Sequence, residues 1–216
     1  MTFTNNGLTC RDFYSLKALK NAGFNSAVMT GCPAWYDLEK VHDTILIDNN
    51  WVLNNIYVSD PADPNNYDLA VQLIDKLHEM FSDANITFVF HRKDISEKEK
   101  ELMFKLGYYS FVKIERLLQG ADSFQIYKNC DLHIGFRVHA HIYNLSQRKK
   151  TILIEEDGRG AGVNEALGIP SLLAYNDEMQ MCYSDRNISH KIKAKLIRTL
   201  HKNKNIYFEK CLEDYI

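Results

Sequence analysis

Residues Asp131 to Gly160 read DLHIGFRVHAHIYNLSQRKKTILIEEDGRG. Leu132 to Phe136 is a short apolar run that gives way at once to Arg137 and His139. Ala140 to Ser146 carries Ile142 and Leu145 at helical spacing. Thr151 to Ile154 is a second apolar run, ending in Glu155, Glu156 and Asp157. Short apolar runs bounded by polar turns read as buried strands, so the order is strand, turn, helix, strand, turn. Ligands of open parallel sheets bind beyond the carboxyl ends of the strands. Both polar turns fall there, one cationic and one acidic.

The same alternation extends in both directions. Asn55 to Ser59 is expected to be a strand, followed by the loop Asp60-Pro61-Ala62-Asp63-Pro64. Asn66 to Phe81 carries Leu69, Leu73, Leu77 and Met80 on one helical face. Ile86 to Phe90 is rich in β-branched and aromatic residues, reads as a strand, and ends in His91 and Arg92. Glu97 to Leu106 reads as a helix closed by Gly107, Tyr108 to Ile114 contains a strand, and Ser123 to Lys128 is a short helix. Ser171 to Ala174 is the last strand expected. From about Thr44 to Tyr175 the units have βα size, which predicts a doubly wound α/β domain with a Rossmann-like parallel sheet.

Upstream, Arg11 to Gly23 reads as a helix. Asp12 or Ser15 is its N-cap, Leu16 and Leu19 its buried side, and Gly23 its C′ residue. Val28 and Met29 lead into a turn at Thr30-Gly31-Cys32-Pro33, and Ala34 to Lys40 is a short helix. Downstream, Ser189 to Asn203 places Ile192, Leu196, Ile197 and Leu200 on one face and lysines on the other, the pattern of a surface helix with a solvated basic side.

Composition narrows the function classes. The 216 residues are 45% hydrophobic, enough for a substantial core, and 12% aromatic, which argues against disorder. A formal net charge of -2 argues against a general nucleic-acid binder. No apolar run of transmembrane length and no signal-peptide core is visible, and the five scattered cysteines form no C-x-x-C pair. These features predict a reduced, cytoplasmic protein.

Arg137 stands where a strand meets a helix. The unpaired N–H groups of the helix N-terminus and a planar guanidinium together make an anion site. The competing reading is an exposed arginine bonded to a local carbonyl. Two residues on, neighbouring cations depress the pKa of His139 and a bound anion raises it, so this side chain gains a proton when an anion arrives, as a general acid requires. A capping or core histidine is the alternative. His141 completes an H-x-H, but residues two apart on a helix face different sides, so no metal site is expected. His133, inside the strand, is read as structural. Glu156 and Arg159 are candidates for substrate binding, against a plain polar turn at Asp157-Gly158. Gly158, Gly160 and Gly162 lack the spacing and position of a dinucleotide fingerprint. His91 and Arg92 are weaker substrate-binding candidates at the same sheet edge. No nucleophile elbow or P-loop occurs.

Arg137-Val138-His139 at a strand-to-helix turn, followed by Glu156-Asp157-Gly158-Arg159-Gly160, resembles the polysaccharide pyruvyl transferases. The Arg11-Asp12-x-x-Ser15 segment with Thr30-Gly31-Cys32-Pro33-Ala34 is similar to the end of that family's first domain. The resemblance implies half of a GT-B-like architecture: residues 1–43 as the remnant of an N-terminal Rossmann-like domain, 44–185 as the C-terminal one, and 186–216 as a helix packing back on the junction. On this reading the glycine-rich front of the first domain is absent from the chain, and Arg11 serves interdomain structure. The implied reaction moves a pyruvyl group from phosphoenolpyruvate to a sugar of a cell-surface or exopolysaccharide, with His139 and Arg137 catalytic. Phosphoenolpyruvate is the donor substrate, no metal or organic cofactor is required, and the acceptor is a sugar or lipid-linked glycan. A homo-oligomer, or a partner supplying the missing domain, is compatible with this. Two alternatives stay open: a GT-B-like glycosyltransferase using a nucleotide sugar, and a non-catalytic accessory or binding fragment.

Overall fold

The computed structural model describes residues 7–35, 53–92, 94–118, 120–167 and 172–173. Six parallel strands form the main sheet: β3 (Asn55–Ser59), β4 (Asn85–Phe90), β5 (Val112–Arg116), β6 (Leu132–Gly135), β7 (Lys150–Glu155) and β8 (Leu172–Leu173). Their spatial order is β5-β4-β3-β6-β7-β8. Counted from β3, the chain runs outward through three strands, returns to the centre, and runs outward on the other side. That is the Rossmann-like, doubly wound order expected from the sequence, and its switch point lies between β3 and β6.

Helices cover both faces. α2 (Tyr67–Met80) and α3 (Glu97–Gly107) close one side, where Ile56, Val58, Ile86, Phe88, Phe90, Leu132 and Ile134 meet Leu73, Ile74, Leu77, Leu102 and Leu106. On the opposite face, Val89, Tyr127, Cys130 and Ala140 pack with Tyr57, Phe124 and Tyr143. Ala140 belongs to α4 (Val138–Ser146), and Tyr127 ends a 3-10 turn, Ala121–Tyr127. α5 (Gly158–Leu167) follows β7 directly.

Local chemistry sets these boundaries. Ser96 and Glu99 form a reciprocal capping box that starts α3. Tyr108 and Tyr109 donate backwards to Lys105 and Leu106, so they close α3, and β5 begins at Val112, inside the expected Tyr108–Ile114 window, and runs two residues past it to Arg116. The apolar face of α2 is rotated from the expected leucine stripe. Ala70 and Ile74 are fully buried, while Leu69 and Met80 only flank the core.

A second, two-stranded parallel sheet precedes the main one. It pairs β1 (Thr9–Cys10) with β2 (Val28–Met29) across α1 (Phe13–Asn21). Of the two N-cap candidates, Asp12 holds the position and accepts from the Ser15 N–H at 2.8 Å. At the other end Gly23 takes a positive φ of 93°, Phe24 N–H reaches Leu19 C=O and Gly23 N–H reaches Lys20 C=O. This is the Schellman closure, which needs a residue free of the Cβ penalty. No residue of α1 is fully buried, so Leu16 and Leu19 are only half-covered. α1 packs on α5, where a Cβ at Gly162 would stand 3.1 Å from the Asp12 side chain. The 3-10 turn Pro33–Trp35 packs on α4. The rest of the expected Ala34–Lys40 helix, the Ser189–Asn203 helix and the boundaries at 43/44 and 185/186 lie outside the described residues. No described helix is long and apolar enough to cross a membrane.

Candidate functional site

The carboxyl ends of β3, β4, β6 and β7 deliver Ser59-Asp60, His91-Arg92, Phe136-Arg137 and Glu156-Asp157 to one edge of the sheet. The crossing at the switch point is tight. Gly135 pairs in register with Ser59, and a Cβ at Gly135 would meet the Ser59 hydroxyl oxygen at 2.5 Å and its backbone N and O at 2.6 Å. This contact lets the β6–α4 turn sit directly against Ser59 and Asp60.

Arg137 begins α4. Its backbone N–H donates to Ser59 Oγ at 3.1 Å. Its side chain does not point freely to solvent. Nε donates to Asp60 Oδ1 at 2.8 Å, and Nη2 donates to Asp60 Oδ2 and to the Pro61 carbonyl. Asp60 is fully buried and also accepts the His91 backbone N–H at 3.0 Å. Burial pushes the Asp60 carboxyl up, against the pull of Arg137 and the His91 N–H. Burial works against the Arg137 charge too, but its bonds to Asp60 more than offset that and hold it above its usual value. The bidentate geometry is that of an ionised pair. Nη1 of Arg137 has no partner among the described residues, so one edge of the fork is fixed and the other is presented.

Arg137 also lines a pocket of about 120 Å³ between the β6–α4 and β7–α5 turns, together with His139, Glu156, Asp157 and Arg159, with Ala62 and Gly160 among its walls. A single water needs about 10–15 Å³, so the pocket has room for a small anion. His139 stands in the first turn of α4, and its ring makes no hydrogen bond to a described residue. Partial burial lowers its pKa, and Arg159, Arg11 and Arg137 lower it further. Arg137 from the same turn, Arg159 from α5 and Arg11 from the start of the chain thus all disfavour the charged imidazole.

Each of those arginines is keyed by its own carboxylate. Arg11 Nε donates to Asp12 at 3.2 Å. Arg159 donates through Nε and Nη2 to Asp157 Oδ2 at 2.9 and 2.6 Å, while Asp157 Oδ1 accepts the Arg159 backbone N–H at 2.8 Å and so caps α5. Partial burial works to raise Asp157, but the bonds from Arg159 win and hold it below the usual carboxylate range. Arg137 and Arg159 thus line the pocket beside the N-terminal turns of α4 and α5, a combination suited to a ligand that carries more than one anionic group.

The other candidates from the sequence fall around this pocket in different ways. Glu156 lines its wall, but its oxygens accept the Ala62 and Asp63 N–H groups at 2.7 and 3.1 Å and Asn66 Nδ2 at 2.8 Å. It therefore pins the loop after β3, and burial pushes its carboxyl up. Arg92 donates from Nη2 to the Ala62 carbonyl and supports the same loop. His91 Nε2 lies 2.6 Å from the Tyr127 hydroxyl, and burial together with Arg137 and His139 lowers its pKa to about 3. Neither His91 nor Arg92 lines the pocket. His141 and His133 are fully buried, and no group of three or more His, Cys, Asp and Glu side chains suited to a metal occurs among the described residues.

Sequence reasoning missed Ser59 and Asp60, and assigned Arg11 a purely interdomain role. The signal for the first two was positional: Ser59-Asp60 ends the first strand of the doubly wound unit, where such sheets place ligand-facing groups. For Arg11 there was none, because its approach to His139 depends on α1 packing against α5.

Comparison with known proteins gives a family. A family model described as polysaccharide pyruvyl transferase matches residues 4–158. No curated protein matches the chain. Among solved structures, the S. aureus MnaA–UDP co-structure aligns at 14% identity with a TM-score of 0.48, covering 92% of this chain and 52% of that one. The Methanocaldococcus jannaschii UDP-GlcNAc 2-epimerase in complex with UDP-GlcNAc and UDP aligns at 14% identity with a TM-score of 0.49, covering 91% of this chain and 61% of that one. The chain thus spans less than two thirds of either structure.

Proposed function

The chain belongs to the polysaccharide pyruvyl transferase family, and from that premise we propose that it takes part in moving a pyruvyl group from phosphoenolpyruvate to a sugar of a cell-surface or exopolysaccharide, closing a ketal on two hydroxyls. The observation that carries this reading is the pocket at the carboxyl edge of the sheet, lined by Arg137, His139 and Arg159, with Asp60 holding the Arg137 guanidinium from behind. Phosphoenolpyruvate bears a phosphate and a carboxylate, which match presented guanidinium edges and helix N-termini.

The chemistry follows from the same electrostatics. Without donor, burial and the nearby arginines disfavour the charged form of His139. The negative charges of the bound donor reverse that field, so His139 takes up a proton beside the enol. It delivers this proton to C3, which becomes the methyl group, and C2 becomes electrophilic. One sugar hydroxyl bonds to C2, the C2–O bond to phosphate breaks, and a second hydroxyl closes the ketal. Of the two hydroxyl protons released, one restores His139 and the other leaves with phosphate. Arg137, keyed by Asp60, holds the donor anion throughout. The scheme uses no metal or organic cofactor.

Within the same proposal, β1, α1 and β2 are the end of an N-terminal Rossmann-like domain in a GT-B-like pair, the acceptor is a lipid-linked or polymeric glycan, and the reaction belongs in the cytoplasm. Calorimetric titration with phosphoenolpyruvate tests the donor assignment. Saturable binding that Arg137→Ala weakens by about 10- to 150-fold, the value of one charge-assisted hydrogen bond, supports it. Binding unaffected by the substitution overturns it. For His139, the glutamine variant is expected to bind donor and release no phosphate in the presence of acceptor; normal turnover would remove it from the mechanism.

A further inference from the structure

Beneath the pocket runs a line of four fully buried polar side chains, each on a different element: Ser59 on β3, His133 on β6, Thr151 on β7 and His141 on α4. Ser59 Oγ lies 3.0 Å from His133 Nε2, His133 Nδ1 lies 2.7 Å from Thr151 Oγ1, and Thr151 Oγ1 lies 2.9 Å from His141 Nδ1. The line ends on the Arg137 backbone N–H, which donates to Ser59 Oγ. Arg137 and His141 flank His139 on either side, so the line grips α4 at both ends of the turn that carries it.

The proton directions follow from satisfaction. Ser59 Oγ already accepts from Arg137, so its hydroxyl is best used donating to His133 Nε2. His133 Nδ1–H then donates to Thr151, and the Thr151 hydroxyl donates to His141 Nδ1. Only His141 Nε2 is left without a partner. The reverse order would leave the Ser59 hydroxyl proton unused as well. Hydrogen bonds in a chain polarise one another, so this direction strengthens Ser59 as the acceptor for Arg137. Four apolar side chains would fill the same space without the desolvation that buried polar groups incur. The chain therefore specifies a geometry that apolar packing would not.

We propose that Ser59, His133, Thr151 and His141 are positioning residues that set the orientation of Arg137 and His139; the inference rests on the function proposed above for what those two residues do. None of the four lines the pocket. Asp60 fixes the Arg137 guanidinium from the side, and this chain fixes its backbone from below.

Thr151→Val tests this, because it keeps the shape and deletes the hydroxyl that both histidines bond. The full chain is used, with fold checked by circular dichroism. The expected result is at least a tenfold fall in kcat for phosphate release from phosphoenolpyruvate with acceptor, with KM for the donor moving less than threefold. Thr151→Ser, which retains the hydroxyl, restores kcat. Two further readouts do not depend on turnover: the midpoint of the His139 imidazole in an NMR titration, which responds to its burial and to the neighbouring arginines, moves by a few tenths of a pH unit, and the Arg137 Nε–H signal exchanges faster with solvent. Ser59→Ala gives the same changes and serves if Thr151→Val does not fold. A folded variant with the wild-type His139 midpoint and wild-type Arg137 exchange overturns the proposal. If the wild-type protein transfers no pyruvyl group, the proposed function fails, while the two NMR readouts still decide whether these residues position the turn.

Discussion

Gly135→Ala should be among the most damaging single-methyl changes in this protein. A glycine-to-alanine change at an unstrained site ordinarily stabilises by about 0.4–1 kcal/mol through the unfolded chain. At Gly135 the added carbon would stand 2.5 Å from Ser59 Oγ and 2.6 Å from Ser59 N and O. Two of those three atoms are backbone at the β3–β6 crossing and have no rotamer to escape into. Overpacking of this kind costs about 1–3 kcal/mol, and the backbone contacts place it at the upper end. After subtracting the unfolded-state gain, the net is a loss of about 2–2.5 kcal/mol. For a chain of this size each kcal/mol lowers Tm by about 2–4 °C, so a drop of about 5–10 °C is expected. Urea melts with unchanged m and a lower midpoint would confirm it. Gly107→Ala is the control: nothing lies within 4 Å of its added carbon, and it should be neutral or slightly stabilising. A Gly135→Ala protein within 0.5 kcal/mol of wild type would refute the reasoning that the crossing is sterically fixed.

Other expectations follow from the same structure. Asp60→Ala leaves the Arg137 guanidinium with its fixed edge unpaired in a mostly buried position, and should cost about 3–5 kcal/mol in urea denaturation; a loss below about 1 kcal/mol would mean the pair is not an anchor. His141 is fully buried, and burial lowers its pKa to about 3 from the ordinary 6.5. Its folded-state pKa lies below the unfolded one, so its contribution is present above pH 6.5 and is lost as pH falls toward 3. Between pH 7 and pH 5 this removes about 2 kcal/mol; His141→Gln should reduce the pH slope of parallel melts by that amount, while the buried His91 and His133 keep the remainder. Ser96→Ala removes the acceptor for the Glu99 N–H in the α3 capping box and should cost about 1 kcal/mol, read as a small Tm drop with activity intact.

Much of the fold was legible in the sequence for reasons that are local. Asn55–Ser59 lies between turn signals and has strand composition, and it forms β3 at those bounds. Asp12 and Gly23 have the capping chemistry that starts and ends α1. Within the Tyr108–Ile114 window the strand occupies only the part from Val112, because two tyrosines with strand propensity are taken up by the end of α3, a competition that propensity alone does not resolve. Of the expected α2 stripe, Leu73 and Leu77 are buried, while Ala70 and Ile74 take the place of Leu69 and Met80 because the sheet, not the helix, selects which face is covered.

For the site, the division is sharper. The sequence alone determined that Arg137 and His139 stand at the carboxyl end of a parallel strand and the start of a helix, because period and turn chemistry are properties of neighbouring residues. Only the tertiary structure decided what those side chains meet. Asp60 keys Arg137 from 77 positions away, and Ser59 supports its N–H from 78. Arg11 reaches the field of His139 through the packing of α1 on α5. Glu156 looked like a ligand-facing acid and instead bonds a loop 90 or more positions earlier. Charge and hydrogen bonding act over a few ångströms of space, whatever the separation along the chain, and the β3–β6 crossing is where the fold brings these distances together.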